Sequence, residues 1–348
     1  MSWLNRILYL INMLTLFALA LSYLAPHISP STFLWPIAFL GLLYPIILAV
    51  NLVFTIYWIV SFKRHFWSNF FIILIGWGHL SALINIESEK SDTEAAFTVM
   101  SYNVRLFNVY EWIDNKNLKN EIVDFINTTQ PNILCLQEFY APSELPNIQL
   151  SYQHIGLQSK KKQWRMATYS SFPIINKGTV SIKGERKNNV CIYSDIVTSN
   201  DTIRVYNIHL ASNWFRPSDY SFMQNPTLET EELKKNVFSI GERLKKSFTK
   251  RAEQVEAIKT HINKTPYPII LCGDFNDTPN SYAYHQISNG LKDAFVEKGR
   301  GLGRSYNGKF PSLRIDYILC SPEININSFD TKRVKLSDHY PIVAGFRE

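Results

Sequence analysis

Apolar and polar positions divide the chain into two parts. Residues 7–25, 37–62 and 66–86 are apolar runs without Asp, Glu, Lys or Arg. A helix of about 20 residues crosses a hydrocarbon core of roughly 30 Å, so each run is long enough to span a membrane. The reading is a transmembrane segment, 1–86, of three helices (7–25, 37–62, 66–86). Pro26, Pro30 and Pro36 bracket the first connection, and Pro45 inside the second run predicts a kink that neighbouring groups can tolerate. A cleaved signal peptide would account for the first run but not for the other two. A polar, acidic linker follows at 87–96, and from residue 97 the pattern changes to short strand-type runs separated by turns and amphipathic helices.

Residues 97–104, 133–137, 269–272, 314–319 and 341–346 read as strands, and β-branched residues flanking Asn200-Asp201 predict a hairpin over 190–210. Helical spacing occurs at Ile122, Val123, Phe125 and Ile126, ending before Pro131, and again at Val255, Ile258 and Ile262 within a long stretch from about 229 to 263. Strands outnumber helices and come in pairs. This predicts an α/β fold for 97–348 with two packed mixed sheets flanked by helices, preceded by the transmembrane helical segment.

Charge sharpens the division. The basic and acidic groups of residues 1–96 cancel, so the whole net charge of +7 falls on the remainder. That excess suits an anionic substrate, and it equally suits a solvated lysine-rich surface. Arg6 precedes the first run, while Lys63, Arg64 and His65 separate the second from the third; the positive-inside bias places these groups in the cytoplasm. With three spans the domain from residue 97 then lies on the extracytoplasmic side, as for a bacterial inner-membrane protein; with two it would be cytoplasmic. Cys135, Cys191, Cys272 and Cys320 each sit in an apolar run without metal-type spacing and read as buried small hydrophobes.

Candidate chemistry comes from what ends the strands. Asn103, Glu138, His209, Asp274 with Asn276, and Asp338-His339 each stand at the end of a buried-looking strand or just before one. Any of these alone could be a turn residue, surface acid or structural histidine. Together they predict polar side chains converging on one sheet edge.

The motifs Ser101-Tyr102-Asn103-Val104-Arg105, Leu136-Gln137-Glu138, Tyr206-Asn207-Ile208-His209-Leu210, Gly273-Asp274-Phe275-Asn276, Arg314-Ile315-Asp316-Tyr317-Ile318 and Ser337-Asp338-His339-Tyr340-Pro341 follow in order. In this the chain resembles the endonuclease/exonuclease/phosphatase (DNase I-like) superfamily over roughly 97–348. The resemblance implies a four-layer α/β sandwich and a metal-dependent phosphoesterase, with Mg²⁺ or Mn²⁺ as cofactor. Two departures bear on the branch. The middle motif reads Trp164-Arg165-Met166-Ala167-Thr168-Tyr169-Ser170-Ser171-Phe172-Pro173-Ile174 rather than small residues before an apolar strand. Arg105 stands where apurinic-site repair members carry an acid, which leaves the DNase-like and phosphatase-like branches open.

Phosphoester hydrolysis needs a cation on the phosphate oxygens, an oriented water and proton management. A hard divalent ion wants oxygen ligands, so Glu138 is the first-choice ligand with Asn103 beside it. The resemblance adds Asp338, in the same shell or at a second metal. Asp274 would orient and deprotonate the water, Asn276 would donate to the phosphate, His339 would contact it, and Asp316 would hold the His339 ring. His209, carried over from the DNase-like and lipid-phosphodiesterase branches, would assist the leaving group. Lys160-Lys161-Lys162 and the aromatic stretch Trp214, Phe215, Tyr220 and Phe222 are candidate rims; the latter is also a candidate membrane-contacting lip or simply a cover for the sheet edge.

The expected partners are a phosphate-ester substrate and, through the helices, a lipid bilayer. Nucleic acid, phospholipid and small phosphate esters all stay open as substrates, because one fold serves many functions. The oligomeric state is left open. The competing expectation is a catalytically inactive membrane-anchored binding module of the same fold.

Overall fold

The structure is a computed structural model that describes residues 3–86, 94–141, 144–156, 164–183, 190–199, 201–226, 229–308 and 313–347. The Lys160-Lys161-Lys162 candidate and most of the 87–96 linker fall outside the described residues.

The apolar runs form α1 (Trp3–Ser22), α2 (Ile37–Val60), α3 (Phe66–Ile75) and α4 (Trp77–Leu83). The first two are each long and apolar enough to cross a membrane. The third run is not one straight helix: α3 and α4 meet at Gly76 with a bend of 71°, and together they count as one further candidate span. A glycine stands at the bend because a Cβ there would lie 2.2 Å from the Tyr23 ring, whose hydroxyl donates to the Ile72 carbonyl. Amides tie the helices together inside this apolar bundle. Asn12 and Asn69 exchange hydrogen bonds of 2.9 and 3.0 Å, Trp58 Nε1 donates to Asn12 Oδ1 at 2.8 Å, and Thr15 donates to Asn51. Polar groups in so apolar a bundle have few alternative partners, so each pair selects a helix register.

The described part of the domain that follows has twelve strands: β1 (Phe97–Asn103), β2 (Ile133–Tyr140), β3 (Tyr152–Ile155), β4 (Trp164–Ser170), β5 (Ile174–Thr179), β6 (Cys191–Val197), β7 (Thr202–His209), β8 (Ile269–Asp274), β9 (Lys292–Asp293), β10 (Asp316–Cys320), β11 (Asn325–Thr331) and β12 (Ile342–Arg347). They form two six-stranded sheets, β11-β12-β1-β2-β4-β3 and β5-β6-β7-β8-β10-β9. Both are mixed, each with one parallel pair, β1 with β2 and β7 with β8. α5 (Leu118–Thr129) covers the first sheet; α7 (Thr230–Ile262) and α8 (Tyr282–Ser288) cover the second. This is the four-layer α/β sandwich, and β6 and β7 pair antiparallel, as the expected hairpin requires. All four cysteines are buried and unpaired.

The period of two along a strand decides where the site falls. Between the sheets pack Val99, Ile133, Cys135, Ile203, Val205, Ile270, Cys272, Ile318 and Cys320. Two residues further along the same face come Ser101, Gln137 and Asn207, which bridge the sheets: Gln137 Nε2 donates to Asn207 Oδ1 at 2.8 Å and to Ser101 Oγ at 3.2 Å. At the same end of these strands the face carries Asn103, His209, Asp274 and Asp316. The apolar core thus grades through a buried polar layer into the polar edge.

That edge abuts the helices. The loop after β8 passes its Asn280 amide to the Ser22 carbonyl at 3.1 Å, and Arg314 Nη2 donates to the Ala82 carbonyl at 2.7 Å. Asn85 and Gly301 exchange backbone hydrogen bonds of 3.0 and 2.7 Å. Lys245 Nζ lies 4.6 Å over the Trp35 ring, Phe248 meets Phe39, and Thr249 donates to the Pro30 carbonyl. Every one of these contacts is to the end of the helices opposite Arg6, Lys63 and Arg64.

Candidate active site

Register sets the second sheet's contribution. His209, Asp274 and Asp316 are side by side on β7, β8 and β10. β7 and β8 come close because residue 273 is glycine: its φ is +145°, and a Cβ there would sit 1.9 Å from the Ile208 carbonyl oxygen. The chain then turns at Asn276, with φ of 52°. This turn is closed by its own backbone N–H donating to Asp274 Oδ1 at 2.8 Å, while the Asn276 amide donates to the Leu210 carbonyl and to Asp274 Oδ2.

The first sheet supplies Asn103 from the end of β1 and Glu138 from β2. Simple alternation would turn Glu138 away from the inner face. A register shift between Leu136 and Phe139, with φ of 48° at Glu138, returns its carboxylate to the site. Bulges commonly re-aim a side chain in this way. After Asn103 the chain makes a left-handed turn through Arg105, Leu106, Phe107 and Asn108, all with positive φ. Burial of Leu106 and Phe107 and an Arg105–Asp338 ion pair of 3.2 Å hold this costly conformation.

The two halves meet within hydrogen-bonding range. Asn103 Nδ2 donates to Asp274 Oδ2 at 3.0 Å and reaches Glu138 Oε1 at 3.4 Å. His209 Nε2 lies 3.7 Å from both Glu138 Oε1 and Asp274 Oδ2, and is buried without a hydrogen-bond partner. His339 Nε2 is 3.6 Å from Asp274 Oδ2, and its Nδ1 bonds Asp316 Oδ2 at 2.8 Å. The structure therefore brings Asn103, Glu138, His209, Asp274, Asn276, Asp316 and His339 together.

Asp338 is at the same edge, close to the Asn103 turn. One carboxylate oxygen pairs with Arg105 and the other lies 3.3 Å from Ser337 Oγ, whose hydroxyl donates to the Asn103 carbonyl at 2.8 Å. It steadies the Asn103 turn.

Burial and charge oppose each other in this cluster. Burial raises the Asp274 pKa, with His339 pulling it down and Asp316 pushing it up. For His339 burial favours the neutral ring, yet Asp316 and Asp274 outweigh it and hold the pKa well above the usual histidine value. The two anions thus favour the charged form of the His339 ring, which Asp316 clamps and the Tyr306 ring edges at 5.2 Å.

Two donor sets fit a cation. Asp274, Asp316 and His339 offer atoms within 4.8 Å of one another, but all three are buried and Asp316 is already committed to His339. The Glu138 carboxylate is 28% exposed, has Asn103 beside it, and faces the unpartnered His209 nitrogen. An oxygen-rich position open to solvent suits a hard ion that keeps several waters. The Asn103 oxygen accepts one hydrogen bond, from the Arg105 N–H, so a lone pair remains for a ligand role.

The sequence reading missed the Gln137–Asn207 bridge, the Arg105–Asp338 pair and Tyr306. The first had a signal: period-two counting from Val205 places Asn207 on the inward face, where a polar residue needs a partner. The others are long-range and leave no local signature.

A four-layer sandwich with acids, amides and histidines at the shared edge of both sheets defines a class of phosphoester hydrolases that is typically dependent on a divalent metal. Residues 100–339 match the profile of the Endonuclease/Exonuclease/phosphatase family, and the chain belongs to that family. Residues 5–83 match a second profile, a domain of unknown function (DUF8431). No curated protein matches the chain significantly.

Solved structures share the fold. A functionally unknown conserved protein from Enterococcus faecalis aligns with a TM-score of 0.52 and 15% identity over 72% of this chain and 98% of its own. The 3' phosphatase NExo from Neisseria, bound to product DNA hairpin, gives 0.50 and 16% over 72% and 100%. TDP2 from D. rerio, complexed with single strand DNA product, gives 0.51 and 13% over 72% and 99%. At these identities the likeness establishes the fold alone.

Proposed function

We propose that the protein is a membrane-tethered phosphoesterase that hydrolyses phosphodiester or phosphomonoester bonds by in-line attack of water, with Mg²⁺ or Mn²⁺ as its cofactor. The observation that carries this reading is the meeting of Glu138, Asn103, His209, Asp274 and His339 around the unpartnered His209 nitrogen. Glu138, with Asn103, would hold the cation; Asp338, held by Arg105, supports the turn that presents Asn103. When bound, the ion neutralises phosphate oxygens and so favours the charged transition state.

The remaining roles fall to protein groups. Asp274 accepts the proton of the attacking water, and its raised affinity for protons helps it do so. Asn276, fixed by its own turn, and the His339 imidazolium offer donors to the phosphate as charge builds on it. Asp316 holds the His339 ring in orientation and charge. His209 faces the leaving-group side as acid or charge partner.

The helical segment 1–86 tethers this site to a bilayer through α1, α2 and the bent α3–α4 unit. All junction contacts lie at the helix end away from Arg6, Lys63 and Arg64, which supports a catalytic domain on the extracytoplasmic side. The test is turnover by the full chain in detergent with Mg²⁺ or Mn²⁺, against single- and double-stranded DNA, phospholipids and small phosphate esters. EDTA-sensitive hydrolysis of one class, lost in Asp274→Ala, supports the reading. Absence of turnover of every class overturns it in favour of a binding module.

A further inference from the structure

The long helix α7 is oversized for the sheet it covers. At about 1.5 Å per residue its 33 residues extend roughly 50 Å, whereas the six residues of β8 beneath it extend roughly 20 Å. Buried positions begin only at Leu244. The preceding turns nevertheless carry Val237 and Phe238, 55% and 72% exposed. Between these turns and the lip at Trp214, itself 66% exposed, runs a groove of about 560 Å³. Its walls include Trp214, Arg216, Lys235, Phe238, Arg243 and Lys246.

Three observations say what covers it. α7 is pinned to the membrane ends of the helices through Lys245 on Trp35, Phe248 on Phe39 and Thr249 on Pro30. Phe238 is seven residues upstream of Lys245, or about 10 Å along the helix axis. The groove also mixes aromatic and basic side chains, the composition that settles into the headgroup region of an anionic bilayer. Glu242 is the one acid lining it, and Arg243 is paired with Asp219 of α6 (Pro217–Gln224) at 3.2 Å, which braces the lip. Finally, the lip of the groove is tied closely in sequence to the polar edge that carries His209. Trp214 lies five residues beyond His209, a span of at most about 18 Å, and the Leu210 carbonyl between them accepts from Asn276.

We propose that this groove receives the anionic phospholipid surface of the bilayer that the helices span, and that the substrate is a phosphoester carried by a lipid in that surface. The second clause rests on the phosphoesterase reading above; the first does not. Lipid enters from the membrane plane past Trp214 and Phe238, with its phosphate drawn along Lys235 and Lys246 towards His209 and Asp274.

The full chain carries the test, because its native cysteines are all buried and a Phe238→Cys variant can be labelled selectively with an environment-sensitive fluorophore. The label is read in nanodiscs of phosphatidylcholine alone and of phosphatidylcholine with about one lipid in three replaced by phosphatidylglycerol. A blue shift in the anionic discs, reduced by added salt and by Lys235→Glu with Lys246→Glu, is expected. No shift, or an equal shift in both discs, overturns the docking surface.

Turnover of phosphatidylglycerol vesicles is then compared with that of a soluble phosphodiester. The Lys235→Glu, Lys246→Glu variant is expected to lower the ratio of vesicle to soluble turnover at least tenfold. An unchanged ratio, or faster turnover of DNA than of any lipid, overturns the substrate class. If the unmodified chain turns over neither substrate, the phosphoesterase reading fails, and the fluorescence result still decides the groove.

Discussion

Asp316→Asn is the sharpest probe of the site, because it changes one charge and almost no volume. The Asp316 carboxylate bonds His339 Nδ1 at 2.8 Å, with the two side chains 2% and 6% exposed. Burial alone would make His339 neutral; the Asp316 and Asp274 anions reverse that. With Asn at 316 the closer anion is gone, and the amide can present its NH₂ to Nδ1, which favours the neutral ring with its proton on Nε2. A charge-assisted hydrogen bond of this kind contributes about 1.5–3 kcal/mol. If it acts only as phosphate charge develops, its loss lowers kcat by roughly 10- to 150-fold. The backbone N–H of residue 316 donates to Ser305 Oγ and its strand pairing is unaffected, so the fold should persist. The assay is steady-state hydrolysis of a soluble phosphodiester with Mg²⁺, alongside thermal unfolding. A variant that folds normally and keeps kcat within threefold refutes the assignment of Asp316 and His339.

Glu138→Gln should weaken Mg²⁺ or Mn²⁺ binding at least tenfold by calorimetry with little change in unfolding temperature, since Glu138 is part-exposed and an amide oxygen can still accept from Asn103. Unchanged affinity would shift the cation to the Asp274, Asp316 and His339 group. Gly273→Ala should prevent stable folding of the domain, because its Cβ would overlap the Ile208 carbonyl of the neighbouring strand; expression of a soluble, cooperatively unfolding variant would contradict this.

A pH effect follows from His154, buried and bonded to Ser194 Oγ at 3.0 Å; burial, then Lys177, lowers its pKa to about 4. Its neutral form belongs to the fold and its cation to the unfolded chain. The contribution is therefore complete above pH 6.5 and is lost as pH falls towards about 4. The loss is about 3 kcal/mol. Denaturant unfolding should show the stability gap between the native chain and His154→Gln narrowing by about that amount over this window. Parallel curves would rule it out.

How much of this was written in the sequence depends on distance along the chain. The helices were legible because uncharged runs 7–25, 37–62 and 66–86 are local facts about hydropathy. So was the sandwich, because period-two strands and turn residues act over a few positions, and six motifs in order carried the family. The same periodicity placed Asn103, His209 and Asp274 at strand ends. What strand periodicity cannot state is which ends meet. The pairing of Asp316 with Asp274, and of Asp274 with His209, is a matter of register between strands distant in sequence.

Tertiary structure alone decided the rest. Glu138 faces the site only because a bulge reverses alternation, and Asp338 is turned to Arg105 by the left-handed turn after Asn103. The third apolar run bends by 71° at Gly76, where the Tyr23 ring occupies the space a side chain would need. Most consequential, the polar edge is set against the helices through Asn280 on Ser22 and Arg314 on Ala82. Those contacts join residues more than two hundred positions apart, and hydropathy patterns, which are local, carry no record of them.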